Sequence, residues 1–280
     1  MNTEEIRKQL EYIRGYVKEI PKLCIICGSG LGRMAEMVKN PVKIAYSDIP
    51  NFPKSTVPGH LGNLIFGYLN GKFVVMMQGR IHLYEGHTSQ TVCQSIKLMK
   101  MLGVETIFMT NASGGINKTF KVGDFCAISD HINIASLSGK SPLIGVNDPN
   151  EGPRFPPMNK VYSRELINLF MEVAKEMNEQ SRTHEGTYFY NMGPNYETPA
   201  EIRMIRLLGG DLVGMSTCFE TSYASYLGMN VLAVSLVSNE CIDSIHDVRE
   251  VDHKEVLQTG ELRSEILTKI FARVVDRYEN

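Results

Sequence analysis

The chain has 280 residues, 43% of them apolar, with 29 basic against 31 acidic side chains and a net charge of −2. That length and apolar content suit one large α/β domain or two small ones, and the balanced charge lacks the basic excess of a nucleic-acid binder. No apolar run approaches the ~20 residues needed to span a bilayer, and the start, Met1 to Lys8, is too charged for a signal peptide, so a cytoplasmic protein without membrane contact is expected.

The first element is a helix. Asn2 is placed to cap it with Glu5 three residues on, and Ile6, Leu10, Ile13, Val17 and Ile20 form one apolar stripe up to Pro21. Strand-like runs follow at Leu23–Cys27, Val42–Tyr46, Leu64–Leu69, Phe73–Met77, Val104–Met109, Phe125–Ile134, Tyr188–Met192, Leu212–Met215 and Val231–Val237. Helical patterns lie between several of them, one marked by Val92, Ile96 and Met99 and the last running from about His253 to Tyr278. The alternation predicts an α/β fold with a large sheet covered on both faces, and no linker or repeat divides the chain, so one domain is expected. Cys24 and Cys27 have CxxC spacing but sit three apart on a buried strand, facing opposite sides; they read as core cysteines rather than a redox or metal pair.

Candidate chemistry collects at the ends of these runs. Gly28-Ser29-Gly30-Leu31-Gly32 follows the first strand and opens a helical pattern, Leu31 to Val38, a turn that aims backbone N–H groups at an anion. A dinucleotide fingerprint fails because Arg33 occupies the position of its third glycine, although Asp48 stands where a ribose-binding acid would. In Arg80-Ile81-His82-Leu83-Tyr84, an extended backbone places a cation, a titratable ring and a phenol on one face, suited to an anion beside a sugar. Thr110 to Gly115 closes another strand in small residues that permit close approach of a ligand. Met215-Ser216-Thr217 does the same before a helix, with Thr217 and Glu220 at capping-box spacing.

A second group suits a planar heterocycle. Thr198, Pro199 and Glu201 form a helix start that does not need Tyr196 and Glu197, which the preceding loop presents as an aromatic beside a carboxylate. Asn239 ends an apolar strand with a side chain that both donates and accepts. Between Ser138 and Lys160 five prolines stiffen a long irregular segment holding Arg154-Phe155-Pro156-Pro157, which favours a contact role over disorder.

In order along the chain, GSGLG (28–32), STVPGHLGNLIFG (55–67), GRIHLYEGH (79–87), TNASGGI (110–116), GPRFP (152–156), GPNYET (193–198), GMST (214–217), SLVSNE (235–240) and DHKEVL (252–257) closely resemble the trimeric purine nucleoside phosphorylase (inosine–guanosine phosphorylase) family. The resemblance implies a single-domain α/β/α sandwich around a large mixed β-sheet, a homotrimer, and cleavage of purine ribo- and deoxyribonucleosides by phosphate to base and α-ribose 1-phosphate. It implies phosphate binding by Ser29, His60, Arg80, His82, Ala112 and Ser216. It implies ribose binding by Tyr84, Met215 and His253, with Phe155 reaching a neighbouring subunit's site. Tyr196, Glu197, Val213, Gly214 and Asn239 would hold the base, and Asn239, His82 and Glu197 would carry the catalysis. Two departures are Cys218-Phe219, where relatives usually have valine and proline, and Tyr196, where many have phenylalanine.

Phosphate is then the nucleophile, so no metal or cofactor is expected. Glu197 and Asn239 together suit a 6-oxopurine, whose N1–H donates and O6 accepts. Methylthioadenosine phosphorylases commonly carry aspartate at the position of Asn239, which disfavours that alternative. A nucleoside hydrolase would leave the phosphate residues without a purpose, and a non-catalytic binding protein would lack some of the set.

Overall fold

The computed structural model describes residues 3–28, 31–57, 60–249 and 253–278, without the side chains of 253–257 and 260. Asn2 therefore lies outside the described residues. The elements are α1 (Thr3–Tyr16), β1 (Leu23–Cys27), β2 (Lys39–Ala45), β3 (Asn63–Leu69), β4 (Lys72–Gln78), α2 (Ser89–Leu102), β5 (Thr106–Gly115), β6 (Phe125–Ile132), α3 (Arg164–Glu176), β7 (Thr183–Tyr190), α4 (Pro199–Leu207), β8 (Leu212–Gly214), α5 (Cys218–Tyr226), β9 (Asn230–Glu240) and α6 (His253–Arg277).

The strands form one mixed sheet in the order β2-β3-β4-β1-β5-β8-β7-β6-β9, and β9 also pairs with β5. Half of the sheet thus closes into a ring of five strands. The free edge at β2 is guarded by exposed Lys39, Pro41 and Lys43, which discourage pairing with another chain. β1 is buried at every position and runs parallel to both β4 and β5, as expected of a strand covered on both faces. Helices α1, α2 and α5 pack together, as do α3 and α6, and β9 touches both groups through α5 and α6. Cys24 and Cys27 are both buried, and burial drives the Cys27 thiol up to about 12, which leaves it inert at neutral pH. Among the described residues, no helix is long and apolar enough to cross a membrane.

Four expectations change. α1 stops at Tyr16, not Ile20. Gly15 weakens the helix there, and Arg14 takes up carbonyls beyond it, donating to Glu19 O (3.2 Å) and Leu102 O (2.6 Å). The helical pattern after β1 is only a short 3₁₀ turn, Gly32–Met37, because β2 begins two residues later. The run expected to stop at Met109 goes further: β5 closes in the small residues up to Gly115, as expected of them, pairing with β9 throughout and with β8 at Gly114 and Gly115, with a register shift at Ser113/Gly114. β4 ends at Gln78, and Gly79 turns the chain at φ +107°, so Arg80 to Tyr84 is not a strand. His82 is extended, but Leu83–Glu85 forms a 3₁₀ turn.

The proline-rich segment is irregular and well anchored. Arg154 donates to Gly145 O (2.9 Å), Asn147 Nδ2 to Gly152 O (3.1 Å) and Tyr226 OH to Asn147 Oδ1 (3.0 Å). Leu137, Ile144, Val146 and Phe155 are left exposed along it.

Candidate active site

One cleft, about 680 Å³ including its open mouth, gathers residues from every strand end singled out in the sequence. His60, Arg80, His82 and Tyr84 come from the segments flanking β3 and β4; Ala112 and Asn239 from neighbouring strands β5 and β9. Val213 and Gly214 belong to β8, Met215 and Ser216 follow it, and Tyr196 and Glu197 hang from the loop before α4. Three expected residues stand apart. Ser29 lies outside the described residues, as does the side chain of His253. Phe155 is 87% exposed and does not line the cleft of its own chain.

The floor depends on close backbone packing. Gly28 lies against β5, where an added Cβ would meet Thr110 O at 2.5 Å. Gly214 has Tyr188 OH where its Cβ would stand, at 2.3 Å, and that hydroxyl accepts the Ser216 N–H (3.4 Å).

Arg80 is only 2% exposed and is not a bare cation. Its Nη1 donates to Glu220 Oε2 (3.1 Å) and Thr217 Oγ1 (3.0 Å), and its Nη2 to Thr110 O. Glu220, expected only as a helix cap, is thus the buried counter-charge; it also accepts the Thr217 N–H (2.9 Å). Thr217 sits at φ +75°, ψ −53°, with Cys218 N–H donating back to Ser216 O (2.8 Å), a strained three-residue turn. The surrounding bonds hold that strain. Thr217 Oγ1 also accepts Asn111 Nδ2 (2.9 Å), whose Oδ1 accepts Ser235 Oγ (2.7 Å). With both lone pairs of Thr217 Oγ1 engaged, its proton turns to Ser216 Oγ (3.1 Å), and the Ser216 proton is free for the cleft. Among the described residues Arg80 Nε and Ser113 Oγ are buried without a partner, two polar groups an oxyanion could satisfy.

The histidines are held neutral. Burial, reinforced by His82 and Arg80, lowers His60 to about 4, and its Nδ1 lies 2.9 Å from Arg80 O. Burial also lowers His82. Burial alone would raise the Glu85 carboxyl, but hydrogen bonds from His82 and Thr56 outweigh it and bring it down to about 2. Ionised Glu85 accepts His82 Nδ1–H (3.1 Å), which leaves the lone pair on Nε2. The rings of His60, His82 and Tyr84 form a stack, with centroids 5.1 Å and 4.6 Å apart.

At the opposite end, Glu197 accepts Asn191 Nδ2 (2.6 Å). Burial raises its carboxyl above the ordinary range, and that bond pulls it partly back. Asn239 Oδ1 accepts Ser238 Oγ (2.9 Å), leaving Nδ2 as a donor. Asn111, Tyr188 and Asn191 were given no role by the sequence reading, and Glu220 only that of a helix cap through the Thr217–Glu220 spacing.

A fixed guanidinium, neutral imidazoles and free donors thus share a cleft with an aromatic, a carboxylate and a carboxamide. The family model of the phosphorylase superfamily matches residues 22–276. Purine nucleoside phosphorylase 1 of Geobacillus stearothermophilus is 46% identical over 261 residues, 93% of each chain. The Rattus norvegicus purine nucleoside phosphorylase is 40% identical over 273 residues, covering 98% of this chain and 94% of the rat chain. The Schistosoma mansoni purine nucleoside phosphorylase in complex with adenosine superposes with a TM-score of 0.96 at 42% identity, over 100% of this chain and 99% of that one. A Schistosoma mansoni purine nucleoside phosphorylase in complex with inosine gives 0.95 at 41%, over 100% of this chain and 98% of that one. The chain belongs to the purine nucleoside phosphorylase family.

Proposed function

We propose that this cleft carries out the reversible phosphorolysis of purine ribo- and deoxyribonucleosides to free base and α-ribose 1-phosphate, with preference for the 6-oxopurines inosine and guanosine, in purine salvage. The observation that carries the reading is the joining of Arg80, His82 and Ser216 to Glu197 and Asn239 in one cleft. Relatives crystallised with inosine, with guanosine, and with ribose 1-phosphate support it.

Phosphate sits over Arg80 Nε, the Ser216 hydroxyl, His82 and the Ala112 backbone, with Ser29 and His60 as its further ligands. Tyr84, Met215 and His253 hold the ribose between it and the base. The glycosidic bond breaks toward a ribosyl cation, which the phosphate charge stabilises. Holding the two reactants in line supplies ~7–11 kcal/mol of the barrier. Charge builds on the departing purine. Asn239 Nδ2 donates near N7 as it arrives, a preorganised contact worth ~3–4 kcal/mol. Glu197 accepts N1–H, Tyr196 covers the ring, and Val213 and Gly214 line its edge. A 6-aminopurine offers a lone pair at N1 to the same carboxylate, a mismatch that supports the 6-oxo preference. Phosphate is a co-substrate; no cofactor takes part.

The working unit is a single-domain, cytoplasmic homotrimer in which Phe155 covers the ribose of the adjacent site. Two observations support this. Phe155 is exposed on an anchored loop. A second open cleft beside the first is lined by Tyr84, Tyr196, Met215 and Pro194, an apolar seat for a neighbour's aromatic. Sedimentation should give three copies, and Phe155→Ala should raise the KM for inosine about thirtyfold, the equivalent of ~2 kcal/mol. The direct test of the reaction is hypoxanthine release from inosine with and without phosphate. Release only with phosphate supports phosphorolysis; equal release in its absence points to a hydrolase.

A further inference from the structure

The loop bearing Tyr196 and Glu197 leaves β7 at Tyr190 and reaches α4 at Pro199. Asn191 is the first residue past the strand, and its backbone N–H is pinned to Gly214 O (3.0 Å) on β8. Its side chain then clasps the loop at three points. Oδ1 accepts the Gly193 N–H (3.2 Å), while Nδ2 donates to Asn195 O (3.2 Å) and to Glu197 Oε1 (2.6 Å). A backbone donor on one side and two acceptors on the other admit a single orientation of the amide; the flipped form would set N–H against N–H and oxygen against oxygen. Asn191 itself is not part of the cleft lining. Among the described residues it is the one side chain that donates to the Glu197 carboxylate, beside Glu197's own backbone N–H.

We propose that Asn191 is a positioning residue that sets base specificity: it aims the Glu197 carboxylate, and it matters most for purines that present one N–H to that carboxylate and least for purines that present two. This rests on the reading of Glu197 as the acceptor for the base. Hypoxanthine offers N1–H alone, and a single hydrogen bond leaves a carboxylate free to turn about it. Guanine offers N1–H and its 2-amino group, and a two-pronged donor aligns both carboxylate oxygens by itself. Asn191 supplies from the protein the orientation that an inosine substrate lacks.

The test compares Asn191→Ala and Asn191→Asp with the unmodified enzyme. The aspartate keeps an oxygen for Gly193 N–H and loses the Nδ2 donor to Asn195 O and Glu197, so the loop keeps one of its side-chain anchors. kcat/KM is measured for inosine and guanosine, along with the KM for phosphate. In Asn191→Ala the value for inosine should fall about tenfold, as for loss of a hydrogen bond to a charged group. Guanosine should fall at least threefold less, and the phosphate KM should stay within about twofold. Asn191→Asp should shift the guanosine-to-inosine ratio the same way. Equal losses on both nucleosides, or losses that follow the phosphate KM, would overturn the inference. Glu197→Ala serves as the control for the underlying reading: if it leaves both nucleosides unaffected, Glu197 does not hold the base and the inference falls with it. A damaging Glu197→Ala beside an unchanged ratio in Asn191→Ala overturns the Asn191 role alone.

Discussion

The two ends of the cleft are built differently. At the proposed phosphate end, Arg80, Asn111, Thr217 and Glu220 are each no more than 3% exposed and lie within or beside core elements; Arg80 and Asn111 share the Thr217 hydroxyl, and Glu220 binds Arg80 and the Thr217 N–H. At the base end, Tyr196 is 39% exposed and Glu197 hangs from a loop steadied by one amide. In the proposed reaction the first end serves phosphate, a reactant that never varies and can be locked into the core, where low dielectric strengthens its polar contacts. In the same proposal the second end accepts bases that differ at their edges, and a loop lets recognition change without disturbing the reaction centre.

Breaking the buried end should have the largest effect. Glu220→Gln keeps the shape but leaves the Arg80 cation uncompensated, and removing one partner of a buried pair costs about 3–5 kcal/mol. Urea unfolding and the phosphate KM should both worsen, with the nucleoside KM little changed. A loss under about 1 kcal/mol with normal phosphate binding would show that the ends do not differ as described.

Acid should find the same end next. His60 titrates near 4 in the fold, below its unfolded value near 6.5. Above 6.5 both states are neutral and no stability is lost. As pH falls from 6.5 to about 4 the unfolded chain gains a proton that the fold refuses, a loss on the order of 3 kcal/mol. His82 is lowered by burial in the same sense. Glu85, with its carboxyl at about 2, acts in a separate window: its stabilisation is lost below about 4.5 as pH falls toward 2. Urea midpoints at pH 7 and 4.5 should therefore separate widely in the native protein and less in His60→Asn. Equal separations would remove His60 as the acid-sensitive group.

Changes at the base end should redirect rather than abolish activity. Asn239→Asp should raise the adenosine-to-inosine ratio of kcat/KM by about tenfold or more, because a protonated aspartate can pair with N7 and the 6-amino group. An unchanged ratio would detach Asn239 from the base. The smallest effect belongs to the cap beneath the loop. Thr198→Ala removes the acceptor for Glu201 N–H (3.3 Å), costing about 1 kcal/mol of stability and a slight rise in nucleoside KM, with phosphate binding untouched.

The two ends also differed in how legible they were. The Thr198–Pro199–Glu201 start of α4 was readable because its bonds are local, and the structure forms both halves of that cap. Strand runs were readable from their apolar residues, though β5 ran past its visible end because Asn111 to Gly115 are held by neighbouring strands rather than by their own propensity. The pairing of Arg80 with Glu220 spans 140 residues and leaves no local pattern, so Arg80 read as a free cation. Asn191 looked like a strand terminus because its role lies in where its amide points. Gly79 marked the break before Arg80, yet the run Arg80 to Tyr84 alternates like a strand; the 3₁₀ turn that begins within it at Leu83 is bound by Glu85, just beyond that run.

The most direct test of the central claim, that this cleft sets phosphate itself against the sugar, is isotopic. Inosine is turned over with ¹⁸O-labelled phosphate in ordinary water, and the sugar product is weighed by mass spectrometry. Ribose 1-phosphate that retains the full label of the phosphate, with hypoxanthine in equal amount, is the predicted result. Free ribose appearing with the hypoxanthine, carrying oxygen from water, would contradict it.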